Sequence, residues 1–415
     1  MIKRNLLSDL NKHLESKEIT LITGPRQAGK TTIMLELKKN LENEGKKTLF
    51  LNLDIEADRR FFNSQEDLIR KIKLELGESQ GFVFIDEMQR KEDAGLFLKG
   101  IYDMNLPYKL IVSGSGSIEL KEKIHESLSG RKRIFELSTI TFEEFVNYRT
   151  DYKYENRLNN FLEIESEKTA HFLKEYLNFG GYPKVILAET IEEKQKIIAE
   201  IYQSYLEKDI SYLLGIQKTE AFTNLVKALS HQVGNLINYS ELSSTAQLSE
   251  KTVKNYLWYL EKTFVLERVT PFFKNPRKEI TKSPMVYFED LGLRNYSAGV
   301  FGRVEETSNL GSLFENLIFF LLKDKIYFSP ANIHFWRTKD GAEVDFVIDT
   351  HKQLPIEVKY QSLKCPEMTR SFRNYIEKYK PEKAYIINLS LKEMETLNTT
   401  IVYFIPFYEF LGHQL

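Results

Sequence analysis

Gly24-Pro25-Arg26-Gln27-Ala28-Gly29-Lys30-Thr31 constrains this chain more than any other segment. It fits GxxxxGK[ST], follows the apolar run EITLIT and opens the helical pattern TTIMLELKKNL. A loop of this kind between strand and helix turns its backbone N–H groups inward, and the helix N-terminus adds a positive dipole, so the ligand it favours is a polyanion. Lys30 supplies a point charge for the β and γ phosphates of a triphosphate, and Thr31 offers its hydroxyl to Mg2+. The residues expected to hold ATP are therefore Gly24, Pro25, Arg26, Gln27, Ala28, Gly29, Lys30, Thr31 and Thr32. A glycine-rich turn with no ligand is the alternative, and the residues that follow weigh against it.

Phe82-Val83-Phe84-Ile85-Asp86-Glu87 is an apolar run ending in two acids. A carboxylate at that strand end suits Mg2+, so Asp86 is expected to hold the metal and Glu87 to orient or deprotonate the attacking water. Between Glu18 and Leu137 the runs EITLITG, TLFLNL, GFVFIDE, KLIVSGS and RIFELS alternate with helix-length segments. Strands separated in this way imply an α/β fold with a parallel sheet buried on both faces.

At 415 residues the chain exceeds one hydrophobic core. The pattern divides it into an ATPase domain at 1–145, a helical lid at 146–228, a winged helix at 229–300 and a mixed α/β domain at 301–415. In the second stretch FGGYP, Phe179 to Pro183, reads as a sharp turn between helices. In the third, YSELSSTAQ and LSEKTVKNYLWYLEKT form a helix-turn-helix with Ser249 opening the second helix, and the extended runs after it read as a wing. In the fourth, the helix GSLFENLIFFLLKD precedes strands IHFWRT, AEVDFVID and LPIEVKY, a helix near Met368 to Lys378, and strand KAYIINL.

On the loop and the acid pair the chain resembles the AAA+ ATPases, and within them a prokaryotic group in which the ATPase core is fused to a winged helix and a nuclease-like C-terminal domain. That resemblance implies a polar sensor ending the strand between the two motif strands, which LIVSGSGS places at Ser113, with Ser115 as runner-up. It also makes Arg131, in LSGRKRIFEL, a candidate arginine finger acting on a neighbouring subunit's nucleotide, and so implies a homo-oligomer. A basic surface cluster of Arg131, Lys132 and Arg133 is the other reading. The helical stretch offers no clear second arginine sensor.

In AEVDFVI and PIEVKY the two-residue period places Val344, Phe346 and Ile348 opposite Asp345, and Ile356, Val358 and Tyr360 opposite Glu357 and Lys359. This resembles the D…ExK core of the PD-(D/E)XK (restriction-endonuclease-like) nuclease fold, with Glu315 on the preceding helix as fourth member. There, Glu315, Asp345 and Glu357 would hold Mg2+ against a phosphate, and Lys359 would stabilise the attacking water. A salt-bridged sheet face with no catalysis accounts for the same residues.

Lys plus Arg number 58 against 59 Asp plus Glu, so no global field marks a nucleic-acid binder, and DNA contact needs local patches. Lys251, Lys254, Lys274, Arg277, Lys278 and Lys282 around the helix-turn-helix supply candidates. The lone Cys365 builds neither disulfide nor zinc site. The N-terminus lacks the pattern of a secretory signal, and no apolar run reaches the roughly 18–20 residues a membrane span requires, so a cytoplasmic location without a membrane is expected. The function expected is ATP hydrolysis coupled to action on DNA, with the C-terminal domain a candidate nuclease. The rival is an ATP-dependent switch or scaffold whose later domains bind a protein partner and do not cut.

Overall fold

The structure is a computed structural model and describes residues 2–114, 128–204, 219–272, 283–307, 310–327, 329–338, 340–349 and 352–412. Ser115 and the basic residues Lys274, Arg277, Lys278 and Lys282 lie outside the described residues.

The five strands expected in the first third are β1 (Ile19–Thr23), β2 (Thr48–Asn52), β3 (Gly81–Asp86), β4 (Tyr108–Ser113) and β5 (Lys132–Glu136). They pair in parallel in the order β2-β3-β4-β1-β5. Alternate side chains enter different cores. Ile19, Leu21, Val83, Ile85, Leu110 and Val112 join one, with helices Gln65–Leu76 and Ala94–Asp103. Ile22, Phe82, Phe84, Ile111 and Phe135 join the other, with helices Leu6–His13 and Lys30–Asn43. Burial on both faces explains why these strands read as unbroken apolar runs. The order puts β4 between the two motif strands β1 and β3, and all C-terminal strand ends point to one edge.

Beyond β5 the helix Phe142–Arg149 opens on a capping box of Thr141 and Glu144, and helices Leu158–Ile164, Ser166–Phe179, Pro183–Leu187, Ile191–Tyr202 and Thr219–His231 follow. FGGYP is more than the expected turn. Gly181 N donates to the buried Asp290 carboxylate at 2.7 Å, and Ile140 N donates to Gly181 O at 2.7 Å. A Cβ on Gly181 would stand 2.2 Å from Ile140 O, so no other residue fits that approach.

Helices Tyr239–Ala246 and Glu250–Lys262 form the helix-turn-helix, with Gln247 left-handed in the turn (φ 53°) and Ser249 Oγ accepting the Thr252 N–H. An antiparallel pair, β6 (Leu266–Val269) and β7 (Met285–Phe288), follows. The helix Leu310–Lys325 then leads into β8 (Asn332–Arg337), β9 (Glu343–Asp349) and β10 (Leu354–Val358), the helix Arg370–Tyr379 and β11 (Lys383–Asn388). Two further strands, β12 (Glu393–Leu397) and β13 (Thr400–Pro406), and a helix Phe407–Gly412 extend beyond the sequence expectation. The sheet order is β12-β13-β11-β10-β9-β8, with β8, β9 and β10 antiparallel and β10, β11 and β13 parallel.

One hydrophobic core runs from Ile140 through Leu177, Leu257, Phe288 and Phe314 to Phe410. The helical, helix-turn-helix and C-terminal stretches thus share an interior. Among the described residues no helix is long and apolar enough to cross a membrane.

Candidate nucleotide site

The phosphate-binding loop leaves the buried end of β1 and closes against β5. Gly24 has φ 148°, and a Cβ there would meet Leu137 O at 2.1 Å, because Leu137 N donates to Thr23 O at this junction. Gly29, at φ 101°, delivers the chain into the helix that starts at Lys30. Gln27 is also left-handed, at φ 60°. Non-glycine residues held in that region cluster where a surrounding structure imposes the conformation.

Lys30 is buried, and its Nζ donates to Gly24 O at 3.0 Å and Pro25 O at 2.7 Å. The loop's own carbonyls thus hold the ammonium where phosphate oxygens would replace them. Burial lowers its pKa to about 8, against the opposing pull of Glu87 and Asp86. Pro25 and Ala28 are buried, Arg26 is half-buried, and Gln27 and Thr32 are exposed.

Asp86 is fully buried at the end of β3 and gathers the rest of the site. Thr31 Oγ1 donates to Asp86 Oδ2 at 2.7 Å, and the Ser113 hydroxyl donates to Asp86 Oδ1. Asn52 Nδ2 lies 3.5 Å from Asp86 Oδ2. One hydroxyl and one carboxylate in contact at the mouth of the loop form a donor set suited to Mg2+, which takes one or two protein oxygens plus substrate phosphates. Thr31 and Asp86 would hold it, and the ion would neutralise charge between the β and γ phosphates.

Glu87 follows in left-handed backbone, φ 57°, with its N–H directed at Asp86 Oδ1 (3.1 Å) and Ser113 Oγ (3.4 Å). Burial, and then the charge of Asp86, raise its pKa above the ordinary carboxylate value. The Gln89 side chain donates to Glu87 Oε2. A carboxylate with a raised pKa is suited to accept a proton from water.

Sequence reasoning missed Arg4. Its guanidinium donates to Ala28 O in the loop (2.9 Å), to Ser138 O (2.7 Å) and to Glu144 Oε2 (3.1 Å), while Asn5 N donates to Glu144 Oε1 (2.7 Å). The N-terminal segment therefore braces the loop from behind, through a contact 24 residues away at Ala28 and others more than 130 residues away at Ser138 and Glu144, which no local pattern signals.

Arg131 stands at the start of β5, where its carbonyl accepts from Ile19 N, and so at the sheet end opposite the loop. Five residues of strand separate the two ends, about 17 Å. Its guanidinium pairs with Asp103 Oδ1 at 2.7 Å.

The C-terminal carboxylates come together, in an arrangement that differs from the expectation. Val344 packs with Val347 in one cluster, while Phe346 and Ile348 enter the other, so the two-residue alternation breaks in β9. The cause is a register shift in the β8–β9 pair: between the His334–Val347 and Trp336–Val344 partners β9 has two residues, Asp345 and Phe346, against Phe335 alone, a bulge of the kind that re-aims a side chain. Asp345 comes within electrostatic reach of Glu315. Its Oδ2 accepts the Val358 N–H at 2.7 Å, Glu315 Oε1 accepts the Tyr287 hydroxyl, and Glu357 Oε1 pairs with Lys359 at 2.7 Å. Glu357 is buried, 4% exposed, which excludes a solvated sheet face there, and its Oε2 has no hydrogen-bond partner. Burial pushes Asp345 up to about 7 and Glu315 well above its ordinary value. Among the described residues no three His, Cys, Asp or Glu side chains gather closely enough to hold a metal ion. The expected metal set of Glu315, Asp345 and Glu357 forms no such group; Glu315 accepts from Tyr287 and Asp345 from a backbone amide.

The profile described as an AAA domain matches residues 16–146, and two described as domains of unknown function, DUF8612 and DUF4143, match 170–303 and 310–410. The chain is 27% identical over 377 residues to an uncharacterized protein of Mycobacterium tuberculosis, covering 90% of this chain and 76% of that one. It is 23% identical over 388 residues to an uncharacterized protein of Haemophilus influenzae, covering 91% and 90%. Among solved structures it is similar to the Aeropyrum pernix Orc1 protein in complex with DNA (TM-score 0.30, 12% identity, 72% of this chain and 93% of that chain). Another is the replication initiator DnaA bound to AMPPCP and single-stranded DNA (TM-score 0.29, 15% identity, 63% and 90%). Sheet order, loop and acid pair, with the profile match, define the first third as a P-loop domain of AAA type, an ATP-binding fold.

Proposed function

We propose that this chain hydrolyses ATP with Mg2+ and couples hydrolysis to action on DNA as an AAA+ protein. The convergence of Thr31, Ser113 and Glu87 on the buried Asp86 at the mouth of the loop carries the reading. Lys30 binds the β and γ phosphates, Glu87 directs and deprotonates the attacking water, and Ser113 links that acid to the metal-holding carboxylate, where it can sense the γ-phosphate. Arg131, remote from its own nucleotide, serves as a finger for a neighbouring subunit in a homo-oligomer.

Support for DNA contact comes from the helix-turn-helix read as a winged helix, whose second helix exposes Lys251 and Lys254. ATP turnover measured alone and with single-stranded, duplex and branched DNA tests the coupling. Stimulation by at least one form is expected, and a rate indifferent to all three would remove DNA from the function.

The C-terminal helix and mixed sheet support the likeness to the PD-(D/E)XK fold, and the carboxylate patch keeps cleavage in view. The internal partners of Glu315 and Asp345 favour the second reading, a domain that binds a partner without cutting. Mg2+-dependent nicking lost in Asp345→Ala would support the nuclease; nicking absent from the parent, or unchanged in the variant, would remove the nuclease reading.

A further inference from the structure

Arg294, on the helix Leu291–Ser297, is a buried cation for which the described residues supply no counter-ion. It is 6% exposed, its Nη1 donates to the neighbouring Asn295 Oδ1 at 3.1 Å, and its Nε has no hydrogen-bond partner. Burial alone lowers its pKa, to about 10, with no acid opposing the shift. Lys30, Lys109 and Lys194 are buried to a similar degree and are treated differently. Each donates to backbone carbonyls, and each has an acid that holds its charge, Glu87, Glu18 and Glu175 respectively. A guanidinium taken out of water without such partners costs folding free energy, which an anion from outside the chain would offset.

Two more cations stand beside it. The helix Thr219–His231 carries Lys227 and His231, four residues apart and therefore on one face, and both are exposed. The negative end of that helix suits cations with no ligand present, and by itself would hold the pKa of His231 up. His231 is instead held below its ordinary value, by burial first, then by the charges of Arg294 and Lys227, and no acid offsets them. The dipole therefore accounts for the two exposed residues and leaves Arg294, on a different helix, unexplained.

We propose that Arg294, with Lys227 and His231 at its rim, binds a phosphate group supplied from outside the chain, with residues separate from those of the GxxxxGK[ST] loop. The guanidinium offers a planar fork that matches two phosphate oxygens, and the ammonium and imidazole add donors from the solvent side. A DNA phosphodiester and a free phosphate compound present the same chemistry. The site has a structural reach in either case. The helix Thr219–His231 packs on Tyr239–Ala246, the first helix of the helix-turn-helix. Asn295, next to Arg294, donates to Leu177 O at 2.7 Å and Asn178 O at 2.9 Å, at the end of the helix Ser166–Phe179. An anion held here would tie the helical stretch to the helix-turn-helix.

Thermal unfolding of the full chain in chloride at constant ionic strength, with and without inorganic phosphate, tests this. Phosphate is expected to raise the midpoint of the parent by about 2 °C or more beyond its effect on Arg294→Met, Lys227→Gln and His231→Gln. Phosphate in the loop and its general action on protein surfaces are common to all four chains and cancel in the difference. Lys227 and His231 are exposed, so their variants carry the test if Arg294→Met does not fold. A short DNA duplex in place of phosphate separates the sources. A rise with duplex that is lost in the variants assigns the DNA backbone, and a rise confined to phosphate assigns a free phosphate compound. Equal shifts in the parent and every folded variant, with both ligands, would overturn the proposal.

Discussion

Lys30 spends its positive charge on two backbone carbonyls, an arrangement that lasts only until a better anion arrives. Its pKa of about 8 sets a pH dependence with a definite sign. Below that value the ammonium is already charged and binding a triphosphate takes up no proton. Above it the nucleotide must draw a proton onto Lys30, so affinity is expected to fall by up to about tenfold per pH unit. Titration calorimetry from pH 7 to 9.5 checks this, and an affinity rising with pH would contradict it. At Glu87 the expectation differs: Glu87→Gln keeps the shape and nucleotide binding but slows turnover by about 10²–10⁴-fold, the usual contribution of a general base. Equal turnover by variant and parent in a phosphate-release assay would remove Glu87 from the mechanism. Both residues were legible in the sequence, because loop, strand and acid pair are local patterns. Arg4 was not, since its partners Ala28, Ser138 and Glu144 are brought to it by the tertiary fold.

Among the elements, the segment joining helices Ser166–Phe179 and Pro183–Leu187 ties the start of the helical stretch to the helix-turn-helix region. Gly181 sits between Ile140, just after β5, and Asp290, just before the helix Leu291–Ser297. Gly181→Ala is expected to destabilise by about 1–3 kcal/mol through overpacking. It would lower the denaturant midpoint without changing the slope, and an unchanged midpoint would show that the joint yields freely. The sequence marked this segment as a turn but gave no sign of what it touches. The break of alternation in β9 was hidden for a related reason: the register shift is a property of the β8–β9 pair, and AEVDF taken alone alternates regularly. β12 went unread because Glu393 and Met394 are exposed at the sheet edge and its pattern carries no apolar face.

For the whole molecule, the two arms differ in how they are built. The P-loop domain closes a core on each face of its sheet, and that autonomy made its fold readable from apolar runs alone. Among the described residues after Ile140 one large interior joins the helical, helix-turn-helix and C-terminal stretches, so they stabilise one another, and only the C-terminal sheet with the helix Arg370–Tyr379 adds a smaller cluster of its own. The helix Leu310–Lys325 ties this second arm to the first: Tyr327, just past its end, hydrogen-bonds the β5 backbone at Ile134 O and Glu136 N. In the function proposed, this contact would link the sheet that carries the loop to the domains meeting DNA or a partner. All of it depends on the loop gripping a triphosphate. Calorimetric titration of the full-length chain with ATP and Mg2+, alongside Lys30→Ala, tests that grip most directly. Saturable one-to-one heat in the parent, abolished or weakened by about tenfold or more in the variant, is expected. No heat in the parent, or equal affinity in both, would contradict the account.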